Sequence, residues 1–115
     1  MTSVRPWGSF DVLMVGAGYV VKQLVIRPHQ RFSLQRHQLR QEVWVIVAGQ
    51  GYVELGSTEP LVKGFVTVGH RVDIACGLWH RLDNTGDSDL IVIETQLGKP
   101  DEQDIERLQD DYGRV

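Results

Sequence analysis

The 115-residue chain predicts an all-β fold, a single closed antiparallel barrel with one short helix at its C-terminal end. Three observations carry this expectation. Short apolar or alternating segments follow one another from Gly8 to Gln96, glycine-bearing turns separate them, and helical spacing enters only after Pro100.

The first expected strand, Ser9 to Met14, is parted from the next, Tyr19 to Ile26, by Gly16-Ala17-Gly18. Arg31 to Gln35 and Glu42 to Ala48 follow, and Gly49-Gln50-Gly51 makes the tightest turn before Gly51 to Leu55. Phe65 to Val68, Arg71 to Ile74, Trp79 to Leu82 and Leu90 to Glu94 complete the set, punctuated by Gly56-Ser57, Lys63-Gly64 and Asn84-Thr85-Gly86. The unbroken apolar runs Val43 to Val47 and Leu90 to Ile93 have the pattern of strands buried on both faces, which places them centrally. In the tail, Ile105, Leu108 and Tyr112 recur at helical spacing, with Asp101 able to cap the helix and Gly113 to end it.

Length and composition fit one domain, residues 1–115. An apolar fraction of 42% and a charged fraction of 23% disfavour disorder. No apolar run reaches the roughly 20 residues of a membrane span, so no membrane partner and a cytoplasmic address are expected. The formal net charge of −3 lacks the basic footprint that a phosphate backbone requires, and nucleic acid is not expected as a partner. One cysteine, Cys76, rules out an internal disulfide and reads as a small buried apolar residue.

The chemistry concentrates between two glycine-terminated strands, in Gln35-Arg36-His37 and Arg40-Gln41-Glu42. Gln35 and His37, two apart on a strand, leave the same face, and a hairpin brings Glu42 opposite them. An amide oxygen, an imidazole and a carboxylate then surround one point, as a divalent cation requires. A second glycine-framed unit, Gly69, Gly77, His80 and Asn84, offers the fourth ligand, His80. A carboxylate beside the apolar run from Val43 is costly to bury unless paired or bound to a cation, which favours the same role for Glu42. His29 and His70 have no such partners in register and read as ordinary surface histidines. Trp7, Trp44 and Trp79 can line a pocket or fill a core.

Gln35, His37, Glu42 and Gly49, followed by Gly69, Gly77, His80 and Asn84, resemble the paired motifs of the cupin superfamily, with Gln35 in place of the usual first histidine and Ala75 in place of a proline. The resemblance implies a double-stranded β-helix, a jelly-roll-like barrel. A narrower likeness runs through Arg5-Pro6-Trp7-Gly8, Ser33-Leu34-Gln35, Arg40 to Trp44, His80-Arg81-Leu82, Asp104 to Arg107 and Asp110 to Arg114. These stretches are similar to the cupin domain of type II mannose-6-phosphate isomerases, a domain often fused behind a mannose-1-phosphate guanylyltransferase. That likeness implies one divalent metal ion (Zn, Mn, Fe or Ni) on Gln35, His37, Glu42 and His80, and a small phosphorylated sugar as substrate. It further implies catalytic roles for Arg81 and Lys22 and substrate contacts from Arg40 and Trp44. Arg81 follows His80 directly, so a regular strand points it away, and a bulge is needed to turn it inward.

The expected reaction is interconversion of mannose 6-phosphate and fructose 6-phosphate. The family carries further histidines where this chain has Gln38, Leu39 and Val43, which keeps open a cupin that binds a sugar or sugar nucleotide without turnover. One Glu and two His with open positions also suit an Fe(II) oxygenase. Strand edges that benefit from covering predict a homodimer paired through its outer sheets.

Overall fold

The computed structural model describes residues 1–99, 101 and 103–114. Eleven strands occur among them: β1 Thr2–Arg5, β2 Gly8–Gly16, β3 Tyr19–Ile26, β4 Leu34–Arg36, β5 Arg40–Ala48, β6 Gln50–Gly56, β7 Val62–Thr67, β8 Arg71–Ile74, β9 Trp79–Asp83, β10 Leu90–Gly98 and β11 Glu106–Gln109. They form two antiparallel sheets, a six-stranded one in the order β1-β2-β3-β10-β5-β8 and a five-stranded one in the order β11-β4-β9-β6-β7. No helix among the described residues is long and apolar enough to cross a membrane.

The core lies between the inner faces of the sheets, where Phe10, Ile26, Phe32, Trp44, Leu82 and Val92 pack together. Phe32 sits edge-on between Trp7 and Trp44, with ring centroids 5.6 Å apart on each side. All nine expected strands are present, Tyr19–Ile26 and Arg71–Ile74 with the expected ends and the other seven with shifted ones. The segment from Arg31 to Gln35 is regular only from Leu34, because Arg31 makes an isolated bridge to Asp83 while Phe32 turns into the core. Gly49 takes φ 80° in the turn between β5 and β6, and a Cβ there would lie 2.5 Å from the Asp89 carbonyl oxygen.

Two expectations about burial are corrected. β5 and β10 are indeed neighbours inside the six-stranded sheet, but only their inward faces are covered: Trp44 and Ile46 are buried, while Val45 and Val47 are 38% and 44% exposed. Their apolar outward positions reflect an uncovered sheet face rather than a second buried one. Cys76, expected inside, is exposed.

The terminal helix is also corrected; Pro100, its expected start, lies outside the described residues. Glu106–Gln109 is instead strand β11, paired antiparallel with β4 through Glu106↔Arg36 and Arg107↔Gln35. An open edge of β4 takes up these backbone groups, and Arg36 Nη2 bonds Glu106 Oε2 across the pair at 2.9 Å. Beyond it, Asp110 accepts from the backbone N–H of Tyr112 and Arg114 and from the Arg114 guanidinium. Its side chain is fully buried, and these bonds, Arg114's first, hold its carboxyl down at about 2. Asp110 is therefore a buried structural group rather than a solvated charge.

Candidate metal centre and the cationic pocket above it

Alternation along each strand decides which side chains meet. On β5, Arg40, Glu42, Trp44 and Ile46 all point inward and are buried. On β9, His80 faces the same interior, and its Cα partner on β4 is Gln35. His37 follows β4 and enters the interior beside them, 4% exposed.

His37, Glu42 and His80 bring one ligand atom each within 4.8 Å of one another. His37 Nε2 stands 3.5 Å from Glu42 Oε2, and His80 Nε2 stands 3.4 Å from Glu42 Oε1. Backbone carbonyls set both imidazole tautomers. Nδ1–H of His37 donates to Asp104 O at 2.6 Å, and Nδ1–H of His80 donates to Leu78 O at 2.9 Å, which leaves Nε2 of each ring toward Glu42. Asp104 also anchors the intervening loop, its carboxylate accepting from the N–H groups of Gln38 and Leu39.

Charge follows from this packing. Burial pushes the His37 imidazole down to about 4, with Arg40 and His80 adding to that effect against Glu42, so the ring is neutral near pH 7. Burial alone would raise Glu42, but the hydrogen bond and charge that a protonated His80 offers, followed by Arg40 and His37, outweigh it and hold the carboxyl at about 2. Arg40 supplies the pairing charge, its Nε donating to Glu42 Oε2 at 2.8 Å and its Nη2 to His37 Nε2 at 3.0 Å.

The donor set fits a divalent cation. Two imidazole nitrogens and a carboxylate converge in a buried place, and His80 Nε2 has no hydrogen-bond partner there. A buried Nε2 without a partner beside a carboxylate oxygen is satisfied once a positive centre, a proton or a metal cation, lies between them. Arg40 is the competing cation for the His37 lone pair.

Above this cluster opens a cavity of about 100 Å³ whose wall includes Gln35, His37, Arg40, Lys22, Glu94 and Trp7. Gln35 Oε1 accepts from Ser33 Oγ at 3.2 Å. Lys22 is buried, with its Nζ 4.5 Å from the centre of the Phe10 ring. Arg5, Arg107 and Arg114 reach the same cavity from the two ends of the chain, so five cationic side chains face it.

Two of the expected site residues lie elsewhere. Trp44 is fully buried behind the cavity, edge-on to His80 at 5.6 Å, and its Nε1–H donates to Glu94 Oε2 at 3.2 Å. Arg81 points to the opposite side of β9, whose pairing with β6 runs without a bulge. Its guanidinium donates to Phe32 O and to the side chain and backbone of Gln109, fastening β11 to the sheet. Burial, then the neighbouring Arg31, lowers the Arg81 pKa.

Glu94 and Gln96 escaped the sequence reading. The buried positions Leu90, Val92, Glu94 and Gln96 alternate along β10, and continuing that alternation past Ile93 identifies both. Burial, then the charge of Glu42, pushes the Glu94 carboxyl up to about 7, against a hydrogen bond from Gln96 and the charges of Arg40 and Lys22.

Comparison with known proteins agrees with this architecture. The family described as Mannose-6-phosphate isomerase C-terminal matches residues 1–110. Alginate biosynthesis protein AlgA of Pseudomonas aeruginosa is 40% identical over 112 residues, covering 96% of this chain and 22% of its own length. Xanthan biosynthesis protein XanB of Xanthomonas campestris is 38% identical, with 96% and 23% covered. Mannose-1-phosphate guanylyltransferase ManC of Salmonella typhimurium is 36% identical, with 96% and 22% covered. The chain thus spans about a fifth of the length of these relatives. In fold it is similar to the capsular polysaccharide assembling protein CapF of Staphylococcus aureus, with a TM-score of 0.85 at 22% identity over 95% of this chain and 34% of that one. The Schizosaccharomyces pombe Cnp3 cupin domain superposes with a TM-score of 0.71 at 11% identity over 79% and 64%. A family match over nearly the whole length, on a two-sheet barrel of this shape, makes the chain a member of the mannose-6-phosphate isomerase C-terminal family, built as a cupin.

Proposed function

We propose that this domain interconverts mannose 6-phosphate and fructose 6-phosphate, using one divalent cation (Zn, Mn, Fe or Ni) held by His37, Glu42 and His80 with Gln35 beside them. The observation that carries the reading is the orphaned His80 Nε2 in a buried ligand cluster, set beneath a cavity faced by five cationic side chains. The cluster suits a cation and the cavity suits an anionic substrate. When bound, the cation would polarise the sugar carbonyl and stabilise the negative charge that builds on its oxygen.

The chain's own residues divide the remaining work. Arg5, Arg107 and Arg114 attract and orient the phosphate, and Lys22 with Arg40 supplies charge deeper in the cavity. Trp7 walls the cavity beside them and limits the water that reaches it. Trp44 and Arg81 support the site from behind. Gln38 and Leu39 are exposed and Val43 points to the outer face, so the positions where the family has histidines lie outside the cavity wall and do not favour the non-catalytic reading.

Elemental analysis of wild type, His37→Ala and His80→Ala, each followed by a coupled mannose 6-phosphate isomerase assay, tests this. One metal per chain in wild type, lost in both variants together with turnover, is the expected result. Metal without turnover would move the assignment to a sugar-binding cupin, and oxygen uptake with iron loaded would move it to an oxygenase.

The homodimer belongs to the same reading. Val25, Val43, Val45, Val47, Ile91 and Ile93 share the outer face of the six-stranded sheet, an apolar surface suited to packing against a second copy. Light scattering should give twice the 13.0 kDa chain mass, and Val45→Lys with Val47→Lys should give a monomer. A monomeric wild type would overturn the dimer.

A further inference from the structure

Glu94 is the one carboxylate on the cavity wall among the described residues; every other charged group there is cationic. It stands at the middle of the six-stranded sheet, paired in register with Lys22 on β3 and with Trp44 on β5. Its oxygens are held from behind, Oε2 by Trp44 Nε1–H and Oε1 by the Gln96 side-chain amide. Both partners are neutral donors. Glu42, by contrast, is already committed to the two histidines and Arg40. The charged and titratable groups around Glu94 are Lys22 from β3, Arg40 and Glu42 from β5, His37 from the loop before β5, and Arg5, Arg107 and Arg114 on the other walls.

Isomerisation of an aldose needs a group that removes a proton from carbon and returns it to the neighbouring carbon. We infer that Glu94 is that group, carrying the proton between C2 and C1 of the bound hexose phosphate. The inference rests on the isomerase reading. In the forward direction the carboxylate takes the C2 proton as the C2–H electron pair becomes the C1=C2 double bond and the C1 carbonyl oxygen takes on negative charge. The carboxyl then returns that proton to C1, while the O2 hydroxyl proton passes to O1 and the C2 carbonyl forms. Atoms and charge balance within substrate and Glu94, with no oxidant or reductant.

Location suits this role. A carboxyl among neutral donors changes protonation without breaking an ion pair, and one titrating near pH 7 is matched to taking and giving a proton at that pH. Trp44 is then a positioning residue, because its indole N–H fixes the oxygen that must face the sugar.

The test compares wild type, Glu94→Gln, Glu94→Asp and Trp44→Phe for metal content, binding of fructose 6-phosphate, turnover, and exchange of the C2 proton with deuterated solvent. Glu94→Gln should lower kcat by about 100-fold or more and abolish C2 exchange. Metal content and sugar-phosphate affinity should stay within about threefold, and Glu94→Asp should restore part of kcat. In wild type, kcat/KM should fall on the acid side of a transition near pH 7. Trp44→Phe, which removes a donor to the charged form, should move that transition upward. A folded Glu94→Gln enzyme that keeps turnover within threefold of an active wild type overturns the inference and leaves the isomerase standing. A metal-loaded wild type with neither turnover nor C2 exchange overturns both. Should Glu94→Gln fail to fold, an unmoved acid transition in Trp44→Phe overturns the inference and a raised one supports it.

Discussion

Replacing Glu42 with alanine should give a protein that retains no divalent cation and, under chelating conditions, unfolds about 3–5 kcal/mol more easily than wild type, because one member of a buried ion pair is left without its partner. Glu42 is 2% exposed, and Arg40 beside it is 8% exposed. Removing the carboxylate leaves the guanidinium beside the His37 ring with no anion at hydrogen-bond distance. Glu42→Gln keeps the shape and one acceptor, so it should lose the cation with a smaller cost in stability. Denaturant unfolding in chelator, read beside elemental analysis, separates the two effects. A Glu42→Ala protein as stable as wild type would mean that Arg40 finds another partner and that the pair contributes nothing net. The sign with pH is fixed by the depressed carboxyl: this contribution is complete above the unfolded value near 4.5 and is lost as pH falls from there toward 2.

Glu94 should behave in the opposite way. Its folded carboxyl is raised from 4.5 to about 7, so below pH 4.5 both folded and unfolded states carry the proton and the group is neutral in its effect. As pH rises from 4.5 toward 7, only the unfolded chain releases its proton, and stability falls; above 7 the loss is complete. The shift sets this loss at up to about 3 kcal/mol, and Glu94→Gln should recover part of it in chelated protein at pH 8. The glutamine can keep one of the two bonds from Trp44 and Gln96, and the Gln96 amide can turn to satisfy the other. A variant that gains stability while losing turnover marks a residue retained for chemistry. Unchanged or lower stability at pH 8 would count against a raised carboxyl at this place.

Much of this arrangement is legible in the chain. Alternation puts Glu42 and Trp44 on one face of β5, the spacing of Gln35 and His37 survives folding, and His80 falls opposite Gln35. What alternation does not carry is any distance between segments far apart in sequence. β11 pairs with β4 some 70 residues earlier, and nothing local announces it. The tail misleads for a further reason. Ile105, Leu108 and Tyr112 have helical spacing, but Ile105 and Arg107 are the pair that line the cavity, and an inward arginine is invisible to a search for apolar periodicity. Arg81 illustrates the limit of resemblance: its place beside His80 suggested catalysis, while the strand's two-residue period turns it to the opposite face.

The bond from His37 to the carbonyl of Asp104 bridges 67 residues. Its consequence concerns the order of events during synthesis. On a ribosome adding roughly 5–20 residues each second, the His37 ring emerges several seconds before the carbonyl that fixes its tautomer. The partners of β4 and β5 likewise wait for β9, β10 and β11. Closing these long loops is the slow, entropically costly part of folding for a topology dominated by distant pairings. A cation held as proposed would meet the finished geometry of this cluster only after β11 has been made.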